Sequence, residues 1–545
     1  MRVTFAPGGL ASRNLNRAQV WGELADNSVG PSTPLGRTGR VSLRAGCAGL
    51  SPLARLTQTP AMLEPGSRLH DYEVWGRVGG GGMSDVFLAR HVHLCAPVII
   101  KTLKVSVDAL AADRAQRLRT EAVLTARIRS PRVVRPLHFG LTPKDVPYLV
   151  QDYVDGLDCS ELDSLRRRAL GVGLPLWYVC EVTAEVAAAL AAAHRTGVLH
   201  RDLKPSNLFV SPEEGVQLGD FGVAVAKSAA AGHAPELAGT LEYMAPETLR
   251  AGIFQRSTDL YGLGATAFHL RYGRPPFAST VETLDPACSP SFPQPESPEE
   301  AYFQQALSQL LQRDPEKRWC DAQRVVGVFS RLSDLVRNPL SAAKDADGLH
   351  VGSLRITTRV GDIATAEADG IVSSANSRFV MDVGVAAALK QAGGEVIAHE
   401  ARAEGEQPLG TCRSTGAGAL SCKRVLHAVS AWNEVSCVAR ASQRAFLLAE
   451  TEGLRTLAIP AVGTGAARVS LESSATSLAS ALELHVRLGG SRLRHVDFVL
   501  YDEVKKRTFD EVLESVFLGR SSASHDIGIT DAGAMPDSSA TVLRK

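Results

Sequence analysis

The sequence predicts an α+β domain followed by an α/β domain built in three layers. Three observations carry that expectation. At 545 residues the chain is too long for one core. Residues 66–336 alternate strand-like runs with long Ala/Leu-rich helical stretches such as Val179 to Ala193, while residues 349–517 alternate strand and helix as a layered sheet requires. Between them, residues 337–348 are polar and broken by Asn338-Pro339 and Asp347-Gly348, which reads as a linker. Residues 1–65, rich in Gly, Ser, Pro and Arg, and 518–545, rich in Ser, Asp, Ala and Gly, read as disordered. Met62, just ahead of the first strand-like run Tyr72-Glu73-Val74-Trp75, is a candidate start of translation; a regulatory tail is the alternative.

Composition narrows the class. A 45% hydrophobic and 21% charged content fits a globular protein, and a net charge of +1 gives no general attraction to nucleic acid or an anionic membrane. No apolar run approaches the ~20 residues needed for a membrane span, and the N-terminus lacks the order of a secretory signal. Nine cysteines without a C-x-x-C pair argue against zinc and against a disulfide framework. A cytoplasmic setting with free thiols is the expectation.

The chemistry concentrates in His200-Arg201-Asp202-Leu203-Lys204-Pro205-Ser206-Asn207, followed by Asp220-Phe221-Gly222. Phosphoryl transfer needs positioning, charge neutralisation and a group that orients the attacking oxygen. Asp202 suits the last task, and Asn207 and Asp220 supply the oxygen ligands that hard cations take. Upstream, the glycine-rich turn Val78-Gly79-Gly80-Gly81-Gly82-Met83-Ser84-Asp85-Val86 lets backbone approach phosphates closely.

Together these segments resemble the eukaryotic-type serine/threonine protein kinases, including bacterial members, over about 265 residues. The resemblance implies a bilobal α+β kinase fold, ATP with Mg2+ or Mn2+, and protein substrates bearing Ser or Thr. It implies that Asp202, Lys204, Lys101 and Glu121 act in transfer, with Glu121 paired to Lys101. Gly79, Gly81, Val86, Lys101, Asp152 and Val154 would surround the nucleotide, Gln151 would gate its pocket, and Asn207 and Asp220 would hold metal. Ser84 departs from the family's third loop glycine. Lys204 and Gly239-Thr240-Leu241-Glu242-Tyr243-Met244-Ala245-Pro246-Glu247 favour Ser/Thr over Tyr, with Thr240 bonding near Asp202. Asp259 and an Arg318–Glu247 pair would be architectural. Arg201 resembles the residue that binds an activation-loop phosphate, yet Ser228 is the only hydroxyl between Gly222 and Gly239. Either Glu236 satisfies Arg201 or the loop orders without phosphate, with phosphorylation of Ser228 or Thr240 as the alternative. The Pro/Ser-rich run Ser279 to Glu299 suggests a shortened substrate-docking helix.

The order Val360-Gly361-Asp362-Ile363, Asp369 to Asn376, Gly384 to Leu389, Val425 to Val429, Leu457 to Gly465 and His495 to Asp502 resembles a macrodomain, the module that binds ADP-ribose. That resemblance implies that Asp362 and Ile363 meet adenine, Asn376 the distal ribose, and Gly384, Gly463 and Gly465 the pyrophosphate, with Tyr501 stacked on the base. Asp382 stands where the family's first phosphate loop carries glycines, and Ala466-Ala467-Arg468 replaces the second loop's aromatic, with Arg468 as a compensating charge. Ala386 occupies a position often acidic in hydrolysing members, which favours reading ADP-ribose, or an ADP-ribosylated protein, over cleaving it. His427 reads as a core strand residue. The alternative reading is a macrodomain scaffold with an accessory kinase domain.

Overall fold

The computed structural model describes residues 63–80, 84–103, 111–221, 241–432 and 435–519. Six strands, β1 (Arg68–Leu69), β2 (Tyr72–Gly80), β3 (Ser84–His91), β4 (Pro97–Leu103), β5 (Pro136–Leu141) and β6 (Pro147–Asp152), form an antiparallel sheet in the order β1-β2-β3-β4-β6-β5. Helix α1 (Ala111–Thr125) sets Leu118 and Ala122 on Leu149 of that sheet. Alternation buries Val74, Phe87, Ala89, Val98 and Ile100 together on one face. The opposite face carries Val86 paired with Lys101, and Leu88 paired with Ile99.

Beyond Asp152 the chain enters a larger lobe of α2 (Cys159–Leu170), α3 (Leu176–Arg195), α4 (Pro246–Ala251), α5 (Arg256–Tyr272), α6 (Thr280–Leu284), α7 (Pro298–Leu310) and α8 (Ala322–Val336). A small sheet of β7 (Leu157–Asp158), β8 (Leu208–Ser211) and β9 (Gly215–Leu218) lies in the same lobe. Among the described residues α3 is long and apolar enough to cross a membrane, which the sequence expectation had denied to every segment. Most of it is buried as the lobe's central helix, packed along α8 and α5. The fully enclosed Arg318 guanidinium pairs with both Glu247 oxygens at 2.7 and 3.2 Å and donates to the carbonyls of Ser257 and Gln312. As expected from the Pro/Ser-rich run, α6 has only five residues, and Arg313 donates to the carbonyls of Glu282 and Cys288 to hold the irregular chain after it.

The second domain is an eight-stranded sheet in the order β10-β11-β12-β19-β18-β13-β15-β14. Its strands are β10 (Ala342–Asp345), β11 (Gly348–Val351), β12 (Leu354–Val360), β13 (Gly370–Ala375), β14 (Cys412–Gly416), β15 (Arg424–Val429), β18 (Thr456–Ile459) and β19 (His495–Leu500). The short hairpin β16 (Ala431–Trp432) and β17 (Val435–Ser436) stands apart from it. The inner five strands run parallel, and both edges are antiparallel. Alternation sends Ile371, Val425 and Val499 toward α9 (Gly384–Gly393) and α10 (Glu395–Ala403). Val372, Leu426 and Phe498 face α11 (Val438–Thr451), α12 (Leu471–Arg487) and α13 (Glu503–Leu518), completing three layers.

The linker expected over 337–348 contains structure. Ala342–Asp345 is strand β10, so only residues 337–341 join α8 to the second sheet. The polar composition there belongs to an exposed edge strand, where charge blocks unwanted pairing. The segments expected to be disordered, 1–65 and 518–545, lie outside the described residues except for Leu63–Pro65 and Leu518–Gly519; Leu63 packs on the first sheet's buried cluster.

Candidate active site and ligand cleft

In the first domain a buried carboxylate arranges the site. Asp259 accepts hydrogen bonds from His194 Nε2 at 2.7 Å and from the backbone N–H groups of His200 at 3.0 Å and Arg201 at 2.8 Å. These bonds hold Arg201 in the left-handed region, with φ of 70°, a conformation an L-residue seldom adopts unsupported. The buried His200 ring packs on Phe221 at 4.6 Å and donates from Nε2 to the Gly219 carbonyl at 2.9 Å, tying the two loops together.

Within that frame, Asp202 Oδ2 accepts from Lys204 Nζ at 2.8 Å and from Asn207 Nδ2 at 3.2 Å. Asn207 Nδ2 also donates to the Asp202 carbonyl at 2.7 Å. The second carboxylate oxygen, Oδ1, is buried with no hydrogen-bond partner among the described residues. Because the Asn207 amide turns its NH2 to Asp202, its side-chain oxygen is left as a neutral ligand for a cation, to which Asp220 would add an anionic one.

Lys101 Nζ lies 2.6 Å from Asp220 Oδ1 and 3.9 Å from Glu121 Oε1. The partner expected from the sequence, Glu121, is therefore the longer-range one. Burial opposes the Lys101 charge, but Asp220 and Glu121 outweigh it and hold the ammonium above its ordinary value. Burial would raise Asp220, yet Lys101 keeps its carboxyl below the usual range. Glu121 is pushed up to about 7 by burial, with Lys101 acting against the rise and Asp220 and Asp202 adding to it.

The second domain holds a cleft of about 790 Å3 at the ends of β13, β18 and β19. Asp362, Ile363, Asn376, Gly384, Gly463, Gly465 and Tyr501 all line it. Helix α9 opens at Gly384, and Gly463 (φ 82°) donates its N–H to Ser374 Oγ at 3.2 Å, fixing the facing loop.

Residues 72–327 match the family model described as the protein kinase domain, and residues 372–478 match that of the Macro domain. A protein kinase domain is joined here to a macro domain. The chain is 32% identical over 299 residues to the serine/threonine-protein kinase PknF of Mycobacterium tuberculosis, covering 53% of this chain and 60% of that protein. It is 31% identical over 329 residues to the serine/threonine-protein kinase Pkn1 of Myxococcus xanthus, covering 55% of this chain and 46% of that protein. The chain thus spans about a third to three fifths of the length of the curated relatives it matches. A crystal structure of the M. tuberculosis PknI kinase domain aligns at 27% identity and a TM-score of 0.40, over 50% of this chain and 100% of that one.

Within the kinase domain, Gly79 and Val86 face each other across β2 and β3, and Asp152 and Val154 follow at the end of β6. Asp152 spends its side chain on Arg135 at 2.9 Å. Gly81, Ser228, Glu236 and Thr240 lie outside the described residues. The Arg201 guanidinium lies 5.4 Å over the Phe254 ring, a contact the sequence did not suggest.

In the macro domain, the Asn376 amide is spent on its own loop, accepting from the N–H groups of Arg378 and Val380 and donating to the Val380 carbonyl. These bonds fix the shape of a loop whose Asn376 lines the cleft. Asp382 is paired with Lys390 at 2.7 Å, which offsets the charge its position would bring to a phosphate. Arg468 is exposed and follows directly on the cleft-lining residues Gly465, Ala466 and Ala467. Lys505, missed in the sequence, lines the cleft with its Nζ 5.7 Å over the Tyr501 ring; its spacing of four from Tyr501, across a helix start, was the available signal. His427 is fully buried, bonded to Thr415 at 3.0 Å and lowered to about 4 by burial, a core residue as expected.

Because Lys101 holds Glu121 down against burial, Lys101→Met should move the Glu121 titration upward from about 7. Carboxyl 13C NMR across pH 5–9 reads this, and a downward shift would contradict the assigned cause.

Proposed function

We propose that the chain is an ATP-dependent serine/threonine protein kinase whose macro domain reads ADP-ribose, free or attached to protein. The observation that carries the kinase reading is Asp202: one oxygen is held by Lys204 and Asn207, and the other is buried and without a partner among the described residues. Such an oxygen is placed to accept a hydrogen bond from a Ser or Thr hydroxyl and draw off its proton as it attacks. Lys204, clamped on the same carboxylate, supplies positive charge beside the transferred group. Lys101, held by Asp220 and Glu121, would position the phosphates, with Gly79, Gly81 and Val86 above the nucleotide and the backbone of Asp152 to Val154 against its base. Mg2+ or Mn2+ held by Asn207 and Asp220 would neutralise phosphate charge. Relatives over this region are serine/threonine-protein kinases by name.

For the macro domain, Tyr501 is 85% exposed at the cleft, and Asp362, which caps Ala364 with Oδ1, keeps Oδ2 for the amino group of a base. The backbone turns at Gly384 and at Gly463–Gly465 suit a pyrophosphate between them. Ala386, buried and aliphatic, provides no acid for hydrolysis, which supports reading over cleavage.

Transfer of label from γ-labelled ATP to a Ser/Thr protein substrate should fall by roughly 10²- to 10⁴-fold in Asp202→Ala; transfer undiminished in that variant would refute the kinase reading. Calorimetry should show ADP-ribose binding that Tyr501→Ala weakens by about 1–3 kcal/mol. No heat at millimolar ligand, with the domain folded, would end the reader proposal.

A further inference from the structure

The kinase and macro domains meet along a continuous seam that crosses the connection between the two kinase lobes. On the small-lobe side, Cys437 and Leu409 of the macro domain pack with Trp75, Leu88, Val78, Ile99 and Tyr153. Leu88 and Ile99 are register partners on the same sheet face as Val86 and Lys101, so this contact reaches the side of the sheet that faces the nucleotide. Cys437 and Leu88 are fully buried by it.

At the connection itself, Asp155 accepts hydrogen bonds from the backbone N–H groups of Ala439 and Arg440, both at 3.0 Å. These belong to the first turn of α11, whose own N-cap residue, Cys437, makes no side-chain cap bond. The macro domain helix is thus capped by a kinase residue three positions past Asp152. Tyr153 donates to the same carboxylate at 3.2 Å. Gly156 locks the other end of this segment, because a Cβ there would come 1.8 Å from the Val210 carbonyl oxygen.

On the large-lobe side, Glu161 pairs with Arg444 at 2.6 Å and Arg440 at 3.5 Å, and Gln443 accepts from the Leu157 N–H at 3.1 Å. Leu447, Leu484 and Leu488 of the macro domain belong to the large lobe's own buried core. The buried Arg166 donates to the carbonyls of Leu488 and Gly489, and Arg492 to that of Ala169.

We propose that the macro domain is a strap across the kinase hinge that sets the angle between the lobes, with Asp155 and Leu409 as positioning residues for phosphoryl transfer. A body anchored in the large lobe and pressed on the nucleotide face of the small lobe fixes the spacing between Lys101 above and Asp202 and Asp220 below. Transfer rates are sensitive to displacements of about 1 Å at that distance.

The inference rests on the kinase reading, so its test carries a readout independent of turnover. In the full-length chain, Asp155→Ala and Leu409→Ala should each lower kcat/KM by about tenfold, while Asp155→Asn, whose one amide oxygen accepts from one of the two N–H groups, falls between Asp155→Ala and the wild type. Arg492→Ala, which cuts the contact to Ala169 of the large lobe and the macro domain's own pair with Glu450 but none with the small lobe or residues 153–156, should lower Tm without changing kcat/KM. Hydrogen exchange should quicken in β2, β3 and residues 153–156 in the first two variants and stay unchanged there in Arg492→Ala. Unchanged exchange in those segments overturns the strap, whether or not the wild type transfers phosphate. So does a kcat/KM that follows Tm equally across all four variants. Should Asp155→Ala not fold, Leu409→Ala carries both readouts.

Discussion

The kinase half depends on one buried carboxylate. Asp259 sits at the start of α5 and reaches back to three donors, two of them backbone N–H groups of the loop that carries Asp202. A backbone N–H buried without a partner costs about 1–3 kcal/mol, and Arg201 adds strain at positive φ. The loop keeps this shape because α5 supplies the acceptor. Everything below it in the chain, from the Asp202–Lys204–Asn207 cluster to the His200 bond onto Gly219, inherits that geometry.

Charge in both sites is arranged in small clusters that limit exposed single charges. Lys101 answers two carboxylates, Asp202 is flanked by Lys204, and at the macro cleft Asp382 is answered by Lys390 and Asp502 by Lys505. The same habit builds the seam between the domains, where Glu161 receives two arginines and Asp155 two backbone donors. Leu409 also packs against the cluster of Phe379 and Val429, next to the loop that Asn376 shapes, so the seam is continuous with the wall of the ligand cleft.

Both folds were legible in the sequence because their chemistry is local. Asp202, Lys204 and Asn207 are spaced within one loop, and the cleft residues follow strand ends in chain order. What was not legible depends on contacts between distant segments. That Lys101 lies nearer Asp220 than Glu121 is set by how the lobes close, at a separation of 119 residues. The exposed hairpin strand β10 carries a linker's composition, and α3 carries a membrane helix's, since burial in a lobe and in a lipid select the same side chains. Helix α11 is buried on nearly every side, Gln443 and Glu450 included, because its sheet covers one face and the kinase the other. No periodicity announces a second partner of that kind.

The most direct measurement of this account is rapid-quench phosphotransfer by Asp259→Asn, a change that keeps the side chain's shape and removes the charge holding the loop. The account predicts a lower kcat with a smaller change in KM for ATP, because Lys101 and Glu121 belong to the small lobe and only Asp220 is tied to the Asp259-held loop, through His200 and Gly219. An unchanged kcat in the folded variant, or a loss confined to KM for ATP, would contradict it.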